Sequence, residues 1–210
     1  MLIYSYLNIT METTEILHLE STMPNVSFDF YNPITDTVET KTLDDYKGKR
    51  VVFFFYPADF TFVCPTELKD LMNIAEEVKK LNAELFTVST DTVFSHKRRI
   101  ETEHLLQHFT LPMISDRKGN LSKMFGIRNA STGNSERATF IISPDGTIKS
   151  LEVVTEPIGR ASHELLRKIN SLDFVRNNPG HACPASWNIG LKTLNPSIKI
   201  AGHVAESLEG

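Results

Sequence analysis

The sequence predicts an α/β fold, a mixed central sheet flanked by helices, with an N-terminal β-hairpin and an extended C-terminal tail. Three features carry this expectation. Residues 51–55 (VVFFF) form an unbroken apolar run, the pattern of a central strand covered on both faces. Leu68, Leu71, Met72, Ala75, Val78 and Leu81 then recur at helical spacing. A second strand–helix alternation and a Pro-Asp-Gly turn at 144–146, set between two apolar runs, complete the order of a mixed sheet. At 210 residues and 40% hydrophobic, the chain is long enough to bury one core. The expected organisation is an N-terminal extension over 1–20, one domain over 21–176 and a C-terminal arm over 177–210.

Each element follows from local pattern. Residues 26–31 alternate weakly, the PITD stretch at 33–36 turns, and 37–41 returns as the second arm of an edge hairpin. After the 51–55 strand, a helix is expected from about residue 66 to 81. Residues 84–89 read as the next buried strand and 93–109 as the next helix. LPMISD at 111–116 is a short apolar run closed by Asp116 and Gly119. Residues 138–143 and 147–155 pair across the PDG turn, and 161–174 is helical with Leu165, Leu166, Ile169 and Leu172 inward. Beyond Asn177-Asn178-Pro179-Gly180 the periodicity fades into a tail. Trp187 is expected to pack and anchor it.

Charge and composition exclude several classes. A formal charge of -4 and a pI near 6.0 argue against a nucleic-acid partner, and Lys97-Arg98-Arg99, the one tight basic cluster, reads as a solvated helix face. No apolar stretch reaches the roughly 18 residues of a membrane span. MLIYSYLNIT at 1–10 lacks a basic n-region and a small-residue cleavage site, so a secretory signal is not expected, and Met11 offers an alternative start. Two cysteines do not make a disulfide scaffold, which makes reducing cytoplasm the default compartment.

Cys64 stands where the buried strand hands over to a helix, at the carboxyl end of a strand, where α/β sheets gather functional groups. A free cysteine has a pKa near 8.5, so only about 3% is thiolate at pH 7, and the thiolate is the nucleophile. The first turn of a helix, with unpaired N–H groups and a positive dipole end, favours an anion, and a nearby arginine adds to the effect. Thr61 supplies a hydroxyl three residues earlier. Pro57 and Pro65 stiffen the turn, while Phe55, Tyr56, Phe60 and Phe62 are expected to exclude bulk water. The pattern suits a small, polar, oxygen-containing electrophile.

Pro57, Thr61 and Cys64 in P-x-x-x-T-x-x-C resemble the active-site signature of the peroxiredoxins, and FYPADFTFVCPTEL is similar to their typical two-cysteine subgroup. The resemblance continues through VSTDTVFSHK (88–97), ERATFIISPDG (136–146), IGRASHELLRKI (158–169) and HACPASW (181–187), and spans about 20–205. Its nearest likeness is the bacterial peroxidase subunit of alkyl hydroperoxide reductase. It implies a thioredoxin-like fold and a thiol peroxidase acting on hydrogen peroxide and alkyl hydroperoxides.

Within that resemblance each motif position implies a role. Cys64 matches the peroxidatic cysteine, whose thiolate takes one peroxide oxygen to become a sulfenic acid. Arg137 matches the arginine that steadies the thiolate and the stretched O–O bond; Thr61 and the Cys64 N–H hold the peroxide oxygens, and Pro57 shields the pocket. Glu67 and Arg160 match positions that orient this network. Cys183 matches the resolving cysteine, which attacks the sulfenate of another subunit. An obligate homodimer is implied, with rings of five dimers common among such relatives. No cofactor or metal is expected, and the recycling partner is a flavoprotein disulfide reductase or a thioredoxin-like protein. Oxidation-sensitive eukaryotic members carry a GGLG insertion before the segment that here reads LPMISD, and a C-terminal Tyr-Phe pair. No glycine lies between Gly48 and Gly119 and no Tyr or Phe follows Phe174, which predicts quick resolution.

Rival readings of the same letters are weaker. A disulfide reductase needs C-x-x-C, but Glu67 holds the fourth position; a cysteine phosphatase needs an arginine where Asp70 stands; no protease signature surrounds Cys64. A lone buried Cys is ordinarily a small hydrophobe, and an isolated Arg137 would ordinarily sit at the surface. His104 and His108, four apart on the expected helix, have metal-ligand spacing but no third ligand nearby. His181 beside Cys183 lacks the clustered cysteines of a zinc site. A ring-forming holdase chaperone is the alternative function, separated from the enzyme by the effect of Cys64→Ser.

Overall fold

The computed structural model describes residues 16–209; the 1–10 segment and Met11 lie outside them. Seven strands form one mixed sheet. They are β1 (Ser27–Asn32), β2 (Thr37–Thr42), β3 (Arg50–Phe55), β4 (Ala83–Ser89), β5 (Met113–Ser115), β6 (Arg137–Ile142) and β7 (Ile148–Val154), in the spatial order β2-β1-β5-β4-β3-β6-β7. The parallel pairs are β3–β4 and β4–β5, while β1–β2, β1–β5, β3–β6 and β6–β7 run antiparallel. The helices are α1 (Cys64–Met72), α2 (Ala75–Lys80), α3 (Val93–Thr102), α4 (Asn120–Met124), α5 (Ser162–Asn177) and α6 (Val204–Glu209).

The apolar run of β3 explains its central place. Val51, Phe53 and Phe55 point into one layer with Phe28, Phe86, Phe125 and Phe140, while Val52, Phe54 and Tyr56 point into the other with Leu68, Leu71, Val78, Leu165 and Ile169. Successive side chains of a strand face opposite sides, so a strand buried on both needs apolar residues throughout. The first layer is held by edge-to-face rings such as Phe55–Phe140, centroids 6.0 Å apart. Helices α1, α2 and α5 cover the second layer and α4 the first. Leu17 and Glu20 donate backbone bonds to Met124 and Ile148, so the chain before residue 21 is tied to the first layer's side.

The expected 66–81 helix begins earlier and breaks once. It starts at Cys64, with Pro65 in the first turn where a missing N–H costs nothing. It breaks at Asn73, whose side chain bonds Asp70 at 3.1 Å, and Ile74 then turns into the core before α2 resumes. The expected 93–109 helix also stops short. Thr92 caps its start by accepting from Ser95 N, and the extended backbone of Glu103 ends it; the Glu103 carboxylate caps a single tight turn, His104–Leu106, that swings Leu106 inward. His104 and His108 are therefore not a helical pair. His104 lies in that turn, His108 follows with φ +67°, and both are exposed.

A short helix missed in the sequence, α4, is capped by buried Asp116, whose carboxylate accepts from Leu121 N and Ser122 N. The tail packs back on α5. Trp187 is buried against Phe174 with centroids 4.9 Å apart, its Nε1 donates to Leu191 O, and Ala182 pairs with Leu194. No helix among the described residues is long and apolar enough to cross a membrane.

Candidate active site

The fold brings the end of β3, the start of α1 and the start of β6 together. Cys64 is the first residue of α1 and is 1% exposed. At that position its N–H is one of the four that a helix leaves without an internal acceptor. Thr61 Oγ1 lies 2.9 Å from Cys64 Sγ and also 2.9 Å from Ala58 O. Arg137, the first residue of β6, reaches the sulfur with Nη1 at 3.5 Å. Pairing of β6 with β3 sets this approach, because Ala138 lies opposite Phe55.

Behind the sulfur sits a closed set of charges. Glu67, one turn along α1, accepts from Arg137 Nη1 on one oxygen. Its other oxygen accepts from Arg160 N at 2.8 Å and Arg160 Nε at 2.9 Å. Arg137 also donates Nε and Nη2 to Glu156 O, at 3.1 and 2.7 Å. Arg160 donates Nη1 to Thr139 and Nη2 to Phe55 O, and its guanidinium lies 3.5 Å over the Phe54 ring. All three charged side chains are buried. Burial by itself pushes the Arg137 guanidinium down, but the Cys64 sulfur and Glu67 outweigh it and hold the group above its ordinary value. Arg160 falls below its ordinary value because burial outweighs the pull of Glu67.

Among the sequence candidates, Thr61, Cys64, Glu67, Arg137 and Arg160 thus form one bonded network, and buried Pro57 closes the loop that enters it. Cys183 does not join it. Its sulfur lies against Ser171 O of α5 at 3.9 Å, half-buried, and burial pushes its thiol up while that bond and Arg167 pull the other way. Both cysteines are free thiols. His181 faces Thr193 Oγ1 at 2.8 Å and the Phe174 ring, which fixes the tail. No group of three potential metal-ligating side chains stands together among the described residues.

Two expectations need correction. Phe55 and Tyr56 are fully buried, but Phe60 and Phe62 are 61% and 93% exposed, so in this chain they do not cover the site. Phe60 also holds φ +56°, a backbone region unfavourable for a bulky side chain, at the crest of the loop. The basic cluster is likewise not a uniform solvated face: Arg98 is exposed, yet Arg99 is 1% exposed and pairs with Asp59 at 2.9 Å.

That pair belongs to a second network which the sequence reading missed. Asp59 accepts from Tyr56 Oη at 2.9 Å and lies 2.9 Å from His96 Nδ1, while His96 Nε2 stands 3.2 Å from Ile114 O. Asp59 N donates to Asp91 at 2.8 Å. Burial alone would push the Asp59 carboxyl up; its hydrogen bonds to His96 and Arg99 outweigh that and hold it down to about 2. The signal available in the sequence was the spacing of His96 and Arg99, i and i+3, which puts both on one face of α3.

A model of the AhpC/TSA family matches residues 21–151. The chain belongs to the AhpC/TSA family. Alkyl hydroperoxide reductase C of Staphylococcus aureus is 42% identical over 174 residues, covering 83% of this chain and 92% of that protein. The crystal structure of Enterococcus faecalis AhpC superposes with a TM-score of 0.75 at 36% identity, over 79% of this chain and 98% of that one. The reduced 2-Cys peroxiredoxin of Plasmodium vivax gives a TM-score of 0.84 at 26% identity, over 90% and 99%. As an AhpC/TSA family member the chain is a peroxiredoxin enzyme with a thioredoxin-like α/β fold, as its two cysteine motifs implied.

Proposed function

We propose that the chain reduces hydrogen peroxide and alkyl hydroperoxides through a sulfenic acid on Cys64 and a disulfide to Cys183 of a second copy. The observation that carries this is the convergence of Thr61, Arg137 and an unpaired helix N-terminus on one buried sulfur. Two guanidinium groups and one carboxylate leave a positive charge over in a buried site, and a Cys64 thiolate balances it. The thiolate displaces on the O–O bond: sulfur gains one oxygen, and the other departs with the electron pair and takes a proton to leave as water or alcohol. Thr61, the Cys64 N–H and Arg137 stand where that charge develops. Residues 177–210 then act as the arm that delivers the resolver. Cys183 attacks the sulfenate sulfur, water leaves, and a dithiol reductant, flavoprotein-linked or thioredoxin-like, regenerates both thiols.

Two features favour a second copy as the source of Cys183. Within one chain the arm holds that thiol on α5, outside the Cys64 network. Beyond Ile148, which bonds Glu20 and Ser21, β7 has no partner strand on its outer side among the described residues, and it carries half-exposed Leu151 and Val153, a surface open to another copy. A compartment kept reducing, such as the cytoplasm, suits two thiols that must cycle.

A non-reducing gel of purified protein treated with one equivalent of hydrogen peroxide tests the scheme. Wild type is expected to run as a dimer that dithiothreitol returns to monomer, while Cys64→Ser and Cys183→Ser each stay monomeric. A crosslink that survives in Cys183→Ser would remove Cys183 as the resolver.

A further inference from the structure

Arg99 is a buried cation to which the scheme gives no task. Arg99 lies on α3, beneath the loop that leads from β3 to Cys64. Its Nη1 donates to Asp59 Oδ1 at 2.9 Å and to Ala58 O at 3.4 Å, and the guanidinium stands 5.3 Å over the Tyr56 ring. Its Nη2 is buried with no acceptor among the described residues, whereas every side-chain nitrogen of Arg160 is bonded. A buried donor left unsatisfied is a cost that ordinary packing avoids.

The contact with Ala58 O matters because that carbonyl competes for a proton. The Thr61 hydroxyl is 2.9 Å from Ala58 O and 2.9 Å from Cys64 Sγ, but it has a single hydrogen and makes only one of those bonds at a time. If Ala58 O holds the hydrogen, Thr61 turns a lone pair toward the sulfur instead. A cationic donor on Ala58 O satisfies part of that carbonyl's demand and weakens its claim. The same guanidinium grips Asp59, whose N–H is fixed to Asp91, so the carbonyl has little freedom to turn away.

We infer that Arg99 is a positioning residue of the peroxide site, which acts through Ala58 O to direct the Thr61 proton at the Cys64 sulfur. This rests on the peroxidatic reading of Cys64. The hydrogen bonds of Arg99 go to Asp59 and Ala58, so its bonded route to the sulfur passes through Thr61, beside a through-space charge interaction with Cys64 that Thr61→Val would leave in place.

A double-mutant cycle tests this, with the rate of Cys64 oxidation by hydrogen peroxide as the readout. Arg99→Met should slow that rate about tenfold in the wild-type background but by less than about twofold beside Thr61→Val, where the proton is already gone. Arg99→Lys, which keeps a cationic donor near Asp59 and Ala58 O, should recover most of the rate. Arg98→Ala, an exposed neighbour, should leave it unchanged. Equal slowing in both backgrounds would make Arg99 a general structural support and overturn the inference, and so would no slowing in either. If Arg99→Met does not fold, Arg99→Gln carries the same comparison. A wild-type protein whose Cys64 does not react with peroxide would instead overturn the peroxidatic reading, so the two failures are distinct.

Discussion

Cys64→Ser is expected to abolish peroxide consumption, with a loss on the order of 10³-fold or more, the scale on which removal of a nucleophile acts. The substitution keeps shape and position, so what it deletes is the sulfur. A serine hydroxyl in the same place is not ionised at neutral pH and has no accessible sulfenic state to carry oxygen. Thr61 and Arg137 would remain and still bind a polar ligand, but binding without a nucleophile does not lower the barrier. A continuous peroxide assay with dithiothreitol as reductant checks this. Residual activity within about tenfold of wild type would mean that Cys64 is one structural thiol among others.

The second large effect is on stability. Glu67→Gln should lower the free energy of unfolding by about 3–5 kcal/mol, because it leaves Arg137 and Arg160 buried without their counter-ion. The amide is close to isosteric, so the side chain's place beside Gly159 changes little and the loss reports charge. Arg137 would also lose the anchor that aims it at the sulfur, so peroxide reduction should fall alongside stability. Urea unfolding of both proteins gives the difference directly. A change below about 1 kcal/mol would show that the backbone oxygens of Phe55 and Glu156 already satisfy the two arginines.

The sequence made the centre of the molecule legible and its edges less so. Strand β3 was plain because burial on both faces demands five apolar residues in a row, and the β6–β7 hairpin because Pro-Asp-Gly marks its turn. Thr61, Cys64, Glu67, Arg137 and Arg160 came from motif resemblance, and the fold gathers them into one network. Periodicity alone ran two helices too long, because Asn73 and Glu103 break them through side-chain bonds to nearby backbone and side chains that leave hydrophobic spacing intact. Helix α4 escaped notice since its main signal is a cap from Asp116, outside the helix itself. Arg99 was misjudged for a different reason. Three basic residues in succession suggest solvent, yet consecutive helical positions point 100° apart, and only Arg99 faces Asp59 and the core.

Phe60 and Phe62 are exposed. They precede Cys64 in the chain and remain in solvent, while Phe54 and Tyr56 are buried in the same core layer as Cys64. The loop of residues 57–63 leads into Cys64, with its base tied down by Asp59 and Phe60 at its crest held at φ +56°.

The most direct test of the central claim is the intact mass of reduced Cys183→Ser protein after one equivalent of hydrogen peroxide. The account predicts a single added oxygen, mapped to Cys64, captured by a sulfenic-acid reagent and removed by dithiothreitol. An unmodified Cys64 beside unconsumed peroxide, or an added oxygen placed on a methionine, would contradict it.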